Sequence, residues 1–121
     1  MVLKRLGKIT EERYDLKLEP VELRWSTNGG LQKVFLSNPT NVRRAIKVKC
    51  SDNHLYRVNP VYSFIEPGQV LSVDVARQNG GAKVDKMIFV TAKANKGDQN
   101  PRTLFTEGAS KPMMVLPLIA T

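Results

Sequence analysis

The segment SNPTNVRRAIKVKCSDNHLYRVNPVYSFIEPGQVLSVDVA, residues 37–76, decides the fold of this chain. Within it, residues 44–51 alternate between apolar and polar side chains, which is the two-residue period of a strand with one buried face. Turn-forming residues interrupt the pattern at 37–41, 59–60 and 66–68. These features predict a run of short strands that presents a basic surface, and they contain no catalytic motif.

The rest of the chain continues the same pattern of short strands and turns. Further strands are predicted at residues 15–25, 31–36, 55–58, 62–65, 69–77, 86–92 and 113–119. Pro20 interrupts the first of them, which is typical of an edge strand that changes partner. Trp25 is predicted to fill the core, Asn79-Gly80-Gly81 to form a hairpin turn, and residues 93–112 to make a long excursion with one helical turn.

Strands at this spacing predict one all-β domain, an immunoglobulin-like β-sandwich over residues 15–121 that follows an N-terminal tail at 1–14. The chain has 121 residues, a formal net charge of +8 and one cysteine. A single cysteine forms no intramolecular disulfide, and no apolar run reaches the ~18 residues that span a bilayer. With no signal peptide in the first residues, we expect a cytoplasmic protein without a transmembrane segment.

Catalytic side chains are few. His54 is the only histidine, and the acidic residues are not spaced as a general acid–base pair. A Cys50–His54 dyad can be written, but Cys50 belongs to the apolar face of its strand and His54 to a turn. The sequence therefore predicts no enzyme, no metal and no cofactor.

Basic residues are concentrated on one predicted strand, with Arg43, Arg44, Lys47 and Lys49 within seven positions. Lys47 and Lys49 should stand about 7 Å apart on one face, and Lys86 extends the patch if its strand lies in the same sheet. The alternative is a solvated face whose lysines prevent edge-to-edge aggregation.

Nucleic acid is a third interpretation of the charge, and the aromatic residues do not favour it. They make up 7% of the chain, with Phe64 and Phe89 predicted in the core and Tyr56 and Tyr62 beside a turn. Binding to single strands uses aromatic platforms within a basic groove. We therefore expect a protein partner and no nucleic acid.

The chain resembles the major sperm protein domain, found in nematode sperm cytoskeletal proteins and in the VAMP-associated membrane proteins. The resemblance covers residue 15 to the C-terminus. Its motifs occur in order as Leu-Lys-Leu-Glu-Pro at 16–20 with Glu-Leu at 22–23, Leu-Ser-Asn-Pro at 36–39, Ile-Lys-Val-Lys at 46–49, Tyr-Arg-Val-Asn-Pro at 56–60, and Ile-Glu-Pro-Gly at 65–68.

This resemblance implies a seven-stranded immunoglobulin-like sandwich that works through protein–protein contacts without enzymatic activity. In the membrane-anchored branch, a basic face captures acidic peptides that contain phenylalanine. Cys50 and Ser51 stand where that branch usually has a threonine pair, and Ile88 where methionine is typical. The matching positions here are Lys47, Lys49, Cys50, Ser51, Lys86, Ile88 and Lys111, to which the basic cluster adds Arg44.

The other branch consists of small free-standing domains of nematode sperm, some of which assemble into filaments. The chain shows no coiled coil or anchor up to Thr121, and its short turn at 28–30 is like that of the small members. We therefore expect a sperm protein that binds cytoskeletal or signalling partners, among them acidic ones. A homodimer is left open, although the charge of +8 makes identical subunits repel.

Overall fold

A computed structural model describes residues 16–106 and 111–121 of the chain; the predicted tail at 1–14 lies outside them. The described residues form nine strand segments and one short 3-10 helix at Pro101–Phe105. The strands are β1 (Lys17–Glu19), β2 (Leu23–Trp25), β3 (Gly30–Ser37), β4 (Arg44–Cys50), β5 (Tyr56–Asn59), β6 (Tyr62–Ile65), β7 (Val70–Arg77), β8 (Lys83–Lys93) and β9 (Met113–Ala120).

These strands form two sheets that face each other. The order is β1-β3-β7-β5 in the four-stranded sheet and β2-β9-β8-β4-β6 in the five-stranded sheet. All neighbours are antiparallel except β2 and β9, which run parallel. The predicted immunoglobulin-like sandwich is confirmed.

Two strands change sheet at a proline, and this explains the number of segments. Pro20 separates β1 from β2, and Pro60 separates β5 from β6; each pair divides between the two sheets. Proline has no N–H to donate, so it suits a position where pairing with one sheet ends. Counting each pair as one strand reduces the nine segments to the predicted seven, and the change of partner at Pro20 is confirmed.

The core lies between the inward faces of both sheets. Val34 and Leu36 of β3, Ile46 of β4 and Phe89 of β8 are all fully buried. Trp25 is 4% exposed, as predicted, and packs edge-on against Tyr56 with ring centroids 5.7 Å apart. The alternation of apolar residues along β4, β7 and β8 therefore gave the inward faces correctly.

Two predictions about this region are wrong. Residues 79–81 do not form a hairpin turn, because β7 and β8 belong to different sheets and the segment crosses between them. Phe64 is not in the core: it is half-buried, while its neighbour Ile65 is the fully buried residue of β6. Neither local turn formers nor hydrophobicity state which sheet a strand joins.

A buried arginine holds the crossing between β7 and β8. Arg77 is 3% exposed; its Nε donates to the Tyr56 hydroxyl at 3.0 Å and its Nη2 donates to the Gly81 carbonyl at 2.6 Å. No carboxylate lies within ion-pair distance of it among residues 16–106 and 111–121. Hydroxyl and carbonyl oxygens therefore solvate this buried charge and fix the loops at its end of the sandwich.

We predict that Arg77→Leu lowers the free energy of unfolding by about 2–4 kcal/mol, since it leaves the buried Tyr56 hydroxyl and the partly buried Gly81 carbonyl without their donor. Urea denaturation followed by tryptophan fluorescence measures the change through Trp25. Arg57→Leu is the matched control, because Arg57 is exposed on the neighbouring strand β5. Equal stabilities of the two variants would contradict the role of Arg77.

Candidate protein-binding surface

The outer face of the five-stranded sheet combines lysines with an apolar stripe. The strand register places Lys49 beside Ile88, and Ile88 beside Val115. The adjacent row runs from Lys47 through Val90 to Met113. We call this surface the basic face and define it by Lys47 and Lys49 of β4, Lys86, Ile88 and Val90 of β8, and Met113 and Val115 of β9.

Sharing one sheet brings the predicted lysines together. β8 lies directly beside β4, so Lys86 extends the row formed by Lys47 and Lys49, as expected if the strands were neighbours. Met113 and Val115 are each 52% exposed, so the stripe next to the lysines is open to a partner. An acidic chain that also carries apolar side chains complements such a surface.

The lysines of the basic face are not neutralised within the described part of the chain. Lys47, Lys49 and Lys86 form no ion pair there, whereas Arg24, Lys33, Arg43 and Lys83 each contact a carboxylate elsewhere. Attraction between these lysines and an acidic partner would help to offset the cost of desolvating its carboxylates, and no carboxylate of residues 16–106 and 111–121 pairs with the same lysines.

An aromatic cluster borders the basic face where the 3-10 helix packs on β4 and β6. The ring of Tyr62 lies 6.0 Å from the ring of Phe105. The guanidinium of Arg102 lies 4.6 Å, and Nζ of Lys47 5.6 Å, from the centroid of Tyr62. The electron-rich face of an aromatic ring attracts cations that lie over it. Tyr62 thus orients two of the basic side chains next to the apolar stripe.

Sequence reasoning did not find this cluster. Tyr62 and Phe64 are two residues apart on β6, which is the period that places side chains on one face of a strand. Arg43 covers Phe64 at 3.7 Å from the ring centroid and donates to the carbonyl oxygens of Asn95 and Asp98, at 2.6 and 2.9 Å. Arg43 is thus occupied in holding this loop.

Two of the predicted site residues, Arg44 and Cys50, point away from the basic face, and a third, the exposed Ser51, is hydrogen-bonded at its edge. Arg44 is 7% exposed, because it has the same parity along β4 as the inward residues Ile46 and Cys50. Cys50 likewise points inward and is 9% exposed. The hydroxyl of Ser51 donates to Asp85 at 2.9 Å and accepts the N–H of Lys86 at 3.0 Å, so it joins β4 to β8.

Lys111 lies at the margin of the basic face. The register pairs Val90 with Met113, and the N–H of Thr91 donates to the carbonyl of Pro112 at 3.0 Å. Lys111 precedes this pairing directly and is half-buried. Its position next to β8 is compatible with the predicted contribution to the surface.

The geometry does not support catalysis by Cys50 and His54. Burial, with a smaller contribution from the nearby charge of Asp85, raises the pKa of the Cys50 thiol to about 11. A thiol with this pKa is protonated at neutral pH and is a poor nucleophile. His54 is exposed in the turn after β4. No group of three potential metal ligands occurs among the described residues, and no helix in that part is long and apolar enough to cross a membrane.

Asp52 organises the turn that follows β4. Its Oδ1 accepts the N–H groups of His54 and Leu55 at 2.9 and 3.1 Å, and its Oδ2 contacts Nζ of Lys83 at 2.7 Å. The hydrogen bond from Lys83, followed by that from Leu55, lowers the pKa of Asp52 to about 2. The ionised carboxylate therefore ties the turn to the start of β8.

A two-sheet sandwich with a basic, partly apolar outer face defines a class of β-domain suited to protein binding. The family model described as the major sperm protein domain matches residues 15–113. The chain therefore belongs to the major sperm protein domain family, and the predicted family is confirmed.

Relatives from Caenorhabditis elegans are similar to this chain over most of its length. The chain is 29% identical to sperm-specific class P protein 31 over 88% of this chain and 99% of that protein. It is 30% identical to sperm-specific class P protein 34 over 87% and 98%, respectively. An uncharacterized protein of the same organism is 36% identical over 75% of this chain. The match covers only about half, 47%, of that relative's length.

Solved structures agree with the fold. WR4, a C. elegans family member, superposes with a TM-score of 0.83 at 29% identity, covering 88% of this chain and 98% of that chain. SSP-19, an MSP-domain-like protein of the same organism, gives 0.81 at 26% identity over 87% and 98%. The periplasmic chaperone SfaE gives 0.66 at 6% identity over 87% of this chain and 56% of its own, a likeness of fold alone.

We predict that Asp52→Asn lowers the melting temperature near neutral pH and that this difference shrinks as the pH falls. The folded-state pKa of Asp52 is lowered from 3.8 to about 2. Ionised Asp52 therefore contributes its full stabilisation above 3.8 and loses it as the pH falls towards 2. Calorimetry across this range measures the difference.

Asp74→Asn is the matched control, since Asp74 also pairs with an exposed lysine, Lys33, at 2.6 Å. It changes the net charge equally, so the contrast between the variants isolates the turn contacts of Asp52. A destabilisation of Asp52→Asn that is constant from neutral pH to pH 2 would contradict the assignment.

Proposed function

We propose that this chain is a non-catalytic protein-binding domain of nematode sperm that engages an acidic partner of the cytoskeletal or signalling class through the basic face. Membership of the major sperm protein domain family and the similarity to sperm-specific class P proteins support this proposal. Its place of action is the cytoplasm, in association with the cytoskeleton.

One observation carries the proposal: lysines without an ion pair in the described part of the chain border an exposed apolar stripe on one sheet. Lys47 and Lys49 lie on one side of Ile88 and Val90, and Val115 lies on the other. A purely solvated face gains nothing from exposed apolar residues, whose hydration is unfavourable. A partner that covers the stripe and presents carboxylates to the lysines gains from both interactions.

A second form of the same function is capture of an acidic peptide that contains phenylalanine. A phenylalanine ring fits against Ile88 and Val115, while neighbouring carboxylates reach Lys49 and Lys86. The inward position of Cys50 means that its departure from the threonine of the membrane-anchored branch leaves the outer face unchanged. The aromatic residue of the ligand distinguishes this form from binding to a general acidic surface.

Nucleic acid is disfavoured by the same geometry. The ring of Tyr62 is already contacted by Arg102 and Lys47, and Phe64 is covered by Arg43. Neither ring is open for the stacking that single-strand binding uses. A steep dependence of DNA or RNA affinity on salt would contradict this conclusion.

We predict that Lys49→Glu/Lys86→Glu weakens binding of an acidic phenylalanine-containing peptide at least about tenfold, because attraction becomes repulsion at two contacts. Wild-type binding should weaken as salt is raised, since exposed charges are screened within a Debye length of ~8 Å at physiological ionic strength. Fluorescence anisotropy of a labelled peptide measures both effects.

Lys17→Glu/Lys33→Glu is the control for this experiment. It changes the net charge equally but alters exposed positions of the four-stranded sheet, on β1 and β3. A control variant that loses as much affinity as the basic-face variant would show that only total charge matters. Unchanged binding by the basic-face variant would remove this surface from the function.

We predict that self-association of the chain increases with salt, because a charge of +8 on each copy opposes it. Raising the salt from about 0.01 M to about 0.15 M shortens the Debye length from ~30 Å to ~8 Å and screens this repulsion. Sedimentation velocity over a range of protein concentrations measures the effect. A strict monomer in both conditions, also when cytosol from the source cell is added, would contradict the cytoskeletal version of the proposal.

A further inference from the structure

A lateral cleft opens between the two sheets where the chain crosses from β5 to β6. Its volume is about 480 Å³, within the range of pockets that hold small ligands or a few amino-acid residues. It lies between the end of β4 in the five-stranded sheet and β5 in the four-stranded sheet. The residues that line it are Lys47, Val48, Lys49, Cys50, Asn53, Tyr56, Arg57, Val58 and Val61.

The edge of β4 is unpaired along this cleft. The N–H of Val48 donates to the carbonyl of Val61 at 2.8 Å, and beyond Val61 the chain leaves this sheet. On the opposite edge, the N–H of Ser51 donates to the carbonyl of Lys86 at 2.9 Å. The N–H and carbonyl groups of successive residues point to alternate edges of a strand, so the N–H and carbonyl of Cys50 face the cleft. Neither of these two groups has a backbone partner among the described residues.

The edge of β5 is unpaired in the same way. The carbonyl of Leu55 accepts the N–H of Gln78 at 2.8 Å, so Leu55 directs its backbone towards β7. By alternation Val58 directs its N–H and carbonyl away from β7, towards the cleft. Two short strand edges therefore offer free donors and acceptors to whatever enters between them.

The charge of the lining is one-sided. Lys47, Lys49 and Arg57 contribute cations, and none of the described residues that line the cleft is an aspartate or glutamate. None of the three forms an ion pair in residues 16–106 and 111–121. Val48, Val58 and Val61 supply the apolar part of the lining.

We propose that this lateral cleft is a peptide-binding site that takes a short extended segment of alternating apolar and acidic residues. A segment paired with the edge of β4 directs successive side chains to opposite faces. Its apolar side chains contact Val48 and Val58, and its acidic ones approach Lys49 and Arg57. The free edges are about 10 Å long at about 3.3 Å per residue, which limits pairing to roughly three residues.

This site is separate from the apolar stripe of the basic face, although Lys47 and Lys49 border both. Lys86 and Ile88 do not line the cleft, and Arg57 and Val61 do not belong to the basic face. A partner segment held at the edge of β4 continues directly onto the outer face of the same sheet. The two sites can therefore be tested by different substitutions.

The test uses the full chain and the blocked peptide acetyl-Glu-Val-Glu-Val-Glu-amide. Cys50 and Val58 line the cleft from opposite sheets, so their backbone amide resonances in a 15N-labelled chain report its occupancy. Saturating peptide is expected to shift both resonances, because the segment pairs with the strand edge at Cys50 and packs against Val58. The reordered peptide acetyl-Glu-Glu-Glu-Val-Val-amide has the same charge without the alternation and should shift them far less.

Val61→Trp is expected to abolish the peptide-induced shift of the Cys50 amide resonance by filling the cleft, and it should fold because Val61 is 44% exposed. Val84→Trp is the matched control, since Val84 is 70% exposed and lies outside the cleft. Arg57→Glu should weaken peptide binding about tenfold, whereas Lys86→Glu should leave it within about twofold.

Three results would overturn the proposal. Equal resonance shifts and equal affinities with both peptides would show charge attraction without strand pairing. Resonance shifts confined to Lys86 and Ile88 would place the peptide on the basic face alone and leave the proposed function standing. Shifts of Cys50 and Val58 with laurate and none with the peptide would identify an amphiphile site instead.

Discussion

A strand segment can pair with only one sheet at a time. At Pro60 the chain crosses from the four-stranded to the five-stranded sheet, so this constraint shapes one side of the sandwich. β5 completes the four-stranded sheet before the crossing, and β6 completes the five-stranded sheet after it. The crossing closes part of that side and leaves β4 unpaired beyond Val48 on the edge opposite β8, among the residues that the structure describes. It also sets Tyr62 on the outer face beside Lys47. The lateral cleft and the aromatic border of the basic face thus have one origin.

The distribution of ion pairs separates the structural charges from those left for binding. Arg77 is buried against hydroxyl and carbonyl oxygens, and Arg43 and Lys83 contact acidic residues at loops. These cations fix segments that cross between sheets or cover a sheet edge. Lys49 and Lys86 instead stand where β4 and β8 pair with each other, so a salt bridge would add little there. Neither lysine has a carboxylate partner within residues 16–106 and 111–121, which suits the acidic partner proposed above.

Much of the fold follows from the sequence because strand alternation is local information. The period of two placed Ile46 and Val48 in the core, and Pro20 marked a change of partner. Arg44 was assigned to the surface for its charge, although its parity on β4 indicates the inward face. The turn at 79–81 gives no sign of the sheet that the next strand joins. The cleft and the contacts of Tyr62 depend on pairing between distant strands, which no local pattern contains.

Net charge restricts how copies of this domain can meet. Two faces that each carry Lys47, Lys49 and Lys86 repel, so a symmetric contact through the basic face requires anions between the copies. The outer face of the four-stranded sheet differs, because Lys33 there is paired with Asp74 and Phe35 is 43% exposed. Charge repulsion therefore opposes contact between copies less on that face than on the basic face. The basic face then stays open to an acidic partner.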